Sequence, residues 1–230
     1  LRMKFKLGLF DRPFVDEKLV VKKVGTEVNR AMARKVAQES IVLLKNEGNL
    51  LPLKKTIKRI AVVGPNADNV YNQLGDYTAP QADGKVKTVL DGIRAAVGKG
   101  TQIDYVKGCA IRDTSNSHIQ EAVAAAKLSD VVVVVLGGSS ARDFKTSYQA
   151  TGAANVDVNA VSDMESGEGF DRVSLDMMGD QLRLIQELEK IGKPIVLVTI
   201  MGRPLNLNWA SAHVPAIVNA WYPGQEGGLA

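Results

Sequence analysis

Two glutamates three positions apart, set among glycines, close the longest irregular stretch of this chain: Met164-Glu165-Ser166-Gly167-Glu168-Gly169-Phe170-Asp171-Arg172. A carboxyl group can exchange a proton with a reacting group near neutral pH if burial or a neighbouring carboxylate lifts its pKa. Glycine admits backbone conformations that other residues resist, so Gly167 and Gly169 allow Glu168 to stand at a loop tip and be delivered to a neighbouring site. By residue type alone, either glutamate could equally be a solvated surface charge.

The elements that must hold this run are legible on both sides of it. An unbroken apolar segment, Asp130 to Leu136, precedes the stretch, and an amphipathic segment, Gln181 to Ile191, follows it. The connection from Gly137 to Met178, about 40 residues, is long for a compact α/β domain and marks a functional or disordered loop. Further strands are expected at Ile60–Val63, Gln102–Val106, Ile195–Ile200 and Ala216–Ala220. Helices are expected at Glu27–Asn46, stopped by Asn46 and Gly48, at Thr88–Val97, and at Ser117–Leu128 with Ser115 or Asn116 as its cap. Alternating strands and helices, with strands apolar on both faces, predict an α/β fold: a mainly parallel sheet with helices on both faces. Such sheets bind ligands beyond the carboxyl ends of their strands, and the long loop leaves the Asp130–Leu136 strand at that edge.

Other chemistries lack their residues. A single cysteine, Cys109, excludes an internal disulfide and a thiolate metal cage, and two histidines, His118 and His213, exclude a histidine-rich metal site. No metal and no cofactor is therefore expected. Gly64-Pro65-Asn66-Ala67-Asp68 follows the first expected strand but has neither phosphate-loop pattern. Gly137-Gly138-Ser139-Ser140 reads as a tight turn into the loop, with anion binding the weaker alternative, and neither serine has a nucleophile elbow or a triad histidine. Trp209 and Trp221 sit at segment ends and read as core anchors rather than sugar platforms.

The bulk numbers are those of an ordinary soluble globular protein. The 230 residues are 45% hydrophobic and 23% charged, with a formal net charge of +4, enough chain for a sizeable core. The basic residues are scattered, with short clusters at Lys22-Lys23 and Lys54-Lys55 and no interleaved aromatics, which favours a solvated surface over nucleic-acid binding. No segment approaches the ~20 apolar residues of a membrane span, and Leu1 to Gly8 is too short and too charged for a signal peptide. The chain begins without Met and stops at Gly227-Gly228-Leu229-Ala230, which reads as the start of another helix. A piece of a longer protein is expected.

Five segments, in order, resemble glycoside hydrolase family 3, the β-glucosidase-like enzymes. Ala33-Arg34-Lys35-Val36-Ala37-Gln38-Glu39-Ser40-Ile41-Val42-Leu43-Leu44-Lys45-Asn46 resembles the opening of that family's second domain. Leu50-Leu51-Pro52-Leu53 and Ile60-Ala61-Val62-Val63-Gly64-Pro65-Asn66-Ala67 resemble the segments that follow. Glu165 to Arg172 resembles the acid/base loop, and Ala220-Trp221-Tyr222-Pro223-Gly224-Gln225-Glu226-Gly227-Gly228 a motif near the domain's end.

The resemblance implies a flavodoxin-like α/β sandwich of five or six strands over residues 26–230, truncated at its C-terminal end. Residues 1–25 would then be the tail of a preceding barrel domain and its linker. It also implies that Glu168 is the general acid/base of a retaining glycosidase, with a nucleophilic aspartate on the barrel, so that no nucleophile is assigned in this chain. Phe170 either lines a sugar subsite by stacking or anchors the loop in the core, Asp171 and Arg172 would organise the loop by ion pairing, and Glu165 is the rival acid. The implied partners are an oligosaccharide or β-glycoside substrate and the barrel domain, and the implied location is periplasmic or secreted. Met177-Met178-Gly179 departs from the family's usual Leu-Pro-Gly at the following helix. The alternative is a non-catalytic flavodoxin-like module for binding or assembly.

Overall fold

The computed structural model describes residues 1–141, 150–151, 155, 162–167 and 171–230. The first 25 residues contribute nothing to the core: α1 (Arg2–Lys6) stops before Gly8, whose φ of 66° ends it, and α2 (Val20–Lys23) is equally exposed. Helix α3 (Glu27–Ser40) opens with a capping box in which the Thr26 side chain accepts from the Asn29 amide while Asn29 returns a bond to the Thr26 amide.

The chain then departs from the expected helix to Asn46. Helix α3 stops at Ser40, and Val42–Asn46 forms β1. Ile41 and Leu44 fit helical spacing, but the β-branched run Ile41-Val42 meets an open sheet edge, and the ladder outweighs a weak helical preference. This strand is the only antiparallel member of the sheet described.

The remaining strands are β2 (Arg59–Val63), β3 (Gln102–Val106), β4 (Val131–Gly137), β5 (Ile195–Ile200) and β6 (Ala216–Trp221). They form one six-stranded sheet in the order β1-β6-β5-β4-β2-β3. β2 through β6 pair in parallel, and β1 joins the β6 edge with Val42 opposite Asn219 and Asn46 opposite Ala216. Leaving β1 aside, this is the flavodoxin-like strand order. Every residue of β4 is buried, as expected for a strand covered on both faces.

One face carries α5 (Ile119–Lys127), α6 (Gln181–Glu189) and α7 (Asn208–His213). Ile119, Ala122, Leu184, Ile185, Leu188 and Ala210 pack there on Val132, Val134 and Leu197. The other face carries α4 (Val89–Ala96), whose Leu90 meets Val131, Val133 and Val135, together with Ile41 and the segment Leu50 to Ile57. Helix α5 starts at Ile119 behind His118, with no side-chain cap. The expected cap Ser115 is taken by Asp113, which accepts its amide at 2.8 Å and its hydroxyl at 2.6 Å. Gly227–Leu229 closes the chain as a single 3₁₀ turn against α4.

Cys109 lies in the first of these cores, 1% exposed, and burial pushes its thiol up to about 12, with the Asp180 charge adding to the effect. Thiolate, not thiol, is the nucleophile. Ellman's reagent at pH 8 is therefore expected to leave the native chain unmodified and to titrate one thiol in denaturant. Fast stoichiometric labelling of the native chain would contradict this burial.

Candidate functional site

Strand order reverses between β2 and β4, and the crevice beyond the carboxyl ends of such a pair is where doubly wound sheets take ligands. Here that edge is drawn tight by backbone fit. Gly64, directly after β2, has φ 120°, and a Cβ on it would run into the Val135 carbonyl oxygen. The loop after β2 can therefore lie along the end of β4 only with glycine at this position.

A chain of buried amides then ties the two loops together. Asn66 donates its backbone N–H to the Val135 carbonyl at 3.3 Å and its Nδ2 to the Gly138 carbonyl at 3.2 Å. Asn72 Nδ2 donates to Asn66 Oδ1 at 2.6 Å, and Ser139 Oγ donates to Asn72 Oδ1 at 2.7 Å. The Ser139 hydroxyl also accepts from the Ala141 amide at 3.2 Å. Ser139 is 1% exposed, so this serine fixes the turn and meets no solvent.

The far end of the long loop returns to the same edge. Asp163 Oδ1 accepts from the amides of Ile111 at 3.1 Å and Arg112 at 3.3 Å, and Arg112 Nη1 donates to the Met164 carbonyl at 3.1 Å. Met164 is buried, and Glu165 donates its N–H to the Ser139 carbonyl at 2.9 Å. A Cβ at Gly167 would stand 3.1 Å from Asp76 Oδ2, so the loop after β2 touches the run immediately before Glu168.

Gln181, fully buried at the first turn of α6, completes the frame. Its Oε1 accepts the Gly137 amide at 2.8 Å, and its Nε2 serves the carbonyls of Gly137 at 2.9 Å, Met178 at 3.2 Å and Ile111 at 3.3 Å.

Of the residues singled out from the sequence, Glu168 and Phe170 lie outside the described residues. Their flanks are described. Glu165 and Arg172 meet as an ion pair, Arg172 Nη1 to Glu165 Oε2 at 2.8 Å, with both side chains 4% exposed. The contact is one of charge, because the alignment is not that of a hydrogen bond, and Coulomb attraction depends on the distance. Glu165 is thus a buried carboxylate paired with Arg172. Arg172 also donates Nη2 to the Pro204 carbonyl at 3.1 Å.

Asp171 is exposed and forms a surface ion pair with Arg203, on the loop after β5. Nearby, the Asn206 amide and the Ser174 hydroxyl hold the Asp176 carboxyl below the usual carboxylate range. Among the described residues, no three His, Cys, Asp or Glu side chains are placed to hold a metal ion.

Two aromatic residues sit at this edge on left-handed backbone: Tyr77 (φ 54°), 72% exposed, and Trp221 (φ 56°), 41% exposed. Non-glycine residues at positive φ are uncommon and store strain that often accompanies function. Trp221 is therefore not the core anchor expected from its place at a segment end. Asn219 Oδ1 accepts its amide at 3.2 Å and fixes the turned-out backbone. Trp209 does pack against the core, stacked on His213 with ring centroids 4.4 Å apart. Sequence reasoning passed over Asn66, Asn72 and Gln181, because a lone amide in a loop or at a helix start carries no spacing signal.

Comparison with known proteins agrees with this geometry. The glycosyl hydrolase family 3 C-terminal domain matches residues 41–230. A β-xylosidase of Formosa agariphila is 39% identical over 237 residues, covering 99% of this chain and 29% of that protein. A periplasmic β-glucosidase of Salmonella typhimurium is 35% identical, covering 100% of this chain and 30% of that protein. Among solved structures, a β-glucosidase from Erythrobacter marinus superposes with a TM-score of 0.79 at 36% identity, over 98% of this chain and 30% of that one. The chain therefore spans about three tenths of the length of the relatives it matches. With the sheet order, the switch-point loops and the matched residues in agreement, this chain belongs to glycosyl hydrolase family 3, as its C-terminal α/β sandwich domain.

Proposed function

We propose that this chain is part of a retaining β-glycosidase and supplies the general acid/base, Glu168, to a site shared with a barrel domain of the same polypeptide. Residues 1–25 are the tail of that barrel and the linker from it. The observation that carries the reading is the anchoring of the loop at the switch-point edge: Asp163, Met164 and Glu165 are bonded to the ends of β4 and to the segment after β3. The described flanks of Glu168 thus meet the sheet where α/β folds take ligands.

In the proposed reaction a barrel aspartate attacks the anomeric carbon while Glu168 protonates the departing glycosidic oxygen. A glycosyl-enzyme forms, and the Glu168 carboxylate then takes a proton from the water that hydrolyses it. No cofactor enters these steps. Phe170 contacts the sugar, and Asp171 and Arg172 organise the loop. The substrate class is a terminal β-linked sugar, supported by the β-glucosidase and β-xylosidase names of the relatives. A periplasmic or secreted location is supported by the periplasmic relative. Among the described residues, no helix is long and apolar enough to cross a membrane.

The test is a pH–rate profile of the full-length polypeptide. Loss of activity on the alkaline side reports deprotonation of the acid, and Glu168→Gln is expected to abolish that limb. A Glu168→Gln variant with near-wild-type kcat/KM and the limb intact would overturn the assignment.

A further inference from the structure

Glu165 and Arg172 bracket the six residues from Ser166 to Asp171, and their side chains meet out of water. Each partner is seated by more than the other's charge. The Glu165 amide is bonded to Ser139, and its carboxylate occupies the space above Gly138, where a Cβ would collide with it. The Arg172 guanidinium adds a bond to the Pro204 carbonyl, from the loop after β5, so the pair joins the ends of β4 and β5 to both ends of the run.

A buried ion pair is poor evidence for added stability, because an apolar pair of similar volume is often as stable. What a charge pair adds is geometry. Its partners cannot separate or slide without leaving an uncompensated charge in the interior, whereas apolar side chains repack at little cost.

We infer that the Glu165–Arg172 pair is a positioning clamp for the residues between them, an inference that rests on Glu168 acting as the acid/base. Neither clamp residue touches substrate. They hold the two ends of the run, Glu165 and Arg172, at one separation. Positioning of a reacting group is sensitive on this scale, since a displacement of about 1 Å can cost about 100-fold in rate. Gly138 belongs to the device as the seat of the Glu165 carboxylate.

The experiment uses the full-length polypeptide with Glu165→Gln, Arg172→Met and the double variant, alongside Glu168→Gln. Turnover is measured on aryl β-glycosides with good and poor leaving groups, at a temperature where circular dichroism shows each protein folded. The double variant removes both charges, so no lone buried charge remains to destabilise it.

The expected result is a folded double variant whose kcat falls about 100-fold on poor leaving groups and little on good ones, with KM nearly unchanged. Wild-type kcat in the folded double variant would overturn the clamp, leaving the pair a packing feature. A loss equal for all leaving groups would also overturn it. Glu168→Gln separates this inference from the reading it rests on. If that variant keeps full turnover while the variants lacking Glu165 show the leaving-group-dependent loss, Glu165 is itself the acid and both the reading and the clamp are overturned. If Glu168→Gln is crippled while the clamp variants are not, the acid stands and the clamp fails.

Discussion

Glu168→Ala in the full-length polypeptide is expected to lower kcat on glycosides with poor leaving groups by about 1,000-fold, within the range that general acid–base catalysis supplies. The loss should shrink as the leaving group becomes more acidic, since such a group departs without a proton. Azide should restore part of the turnover on activated substrates. It is already anionic, attacks the glycosyl-enzyme without a base, and leaves as a glycosyl azide. A uniform loss across leaving groups, with no response to azide, would show that Glu168 has no part in proton transfer.

The second large effect is on stability and needs no activity. Gln181→Leu keeps most of the side-chain volume but removes the acceptor of the Gly137 amide and the donor shared by three carbonyls. Leaving buried groups unpaired costs about 1–3 kcal/mol each, so this chain should lose about 3 kcal/mol in urea unfolding. The cost falls where β4 ends and the long loop begins. A loss below about 0.5 kcal/mol, the usual range for surface substitutions, would mean that the amide network is dispensable.

Most of the sheet was legible because its signal is local. Five β-branched valines in a row at Val131–Val135 favour a strand buried on both faces, and the other parallel strands carry similar apolar runs. The missed strand, β1, failed for the opposite reason. Val42–Asn46 is an edge whose partner lies near the other end of the chain, at Ala216–Asn219, and no local pattern announces such a pairing. The cap of α5 was misread because Asp113 competes locally for Ser115.

At the site, the sequence located the run and its glycines but not how its ends are tied. Residue type alone couples Arg172 as readily to its neighbour Asp171 as to Glu165. That Glu165 faces inward to Arg172, while Asp171 turns out to Arg203, depends on the loop's path and not on residue type. The left-handed backbone of Trp221 was equally hidden, since it follows from how β6 ends against Met201, whose amide donates to the Trp221 carbonyl at 3.0 Å.

The two ends of the sheet are built differently. At the strand starts, Asp130 accepts the backbone amides of Lys58 and Arg59 at 2.8 and 2.9 Å, its own amide returns to the Arg59 carbonyl at 2.9 Å, and the Gln102 amide reaches the Lys58 carbonyl at 2.7 Å. These bonds fix the alignment of β3, β2 and β4 through main-chain atoms and one carboxylate, with nothing contributed from the loops at the opposite end. The register of these three strands is thus set at their starts, while the opposite edge is held separately, by the close fit at Gly64 and the amides of Asn66, Asn72 and Gln181. A change confined to one edge leaves the bonds that fix the other in place.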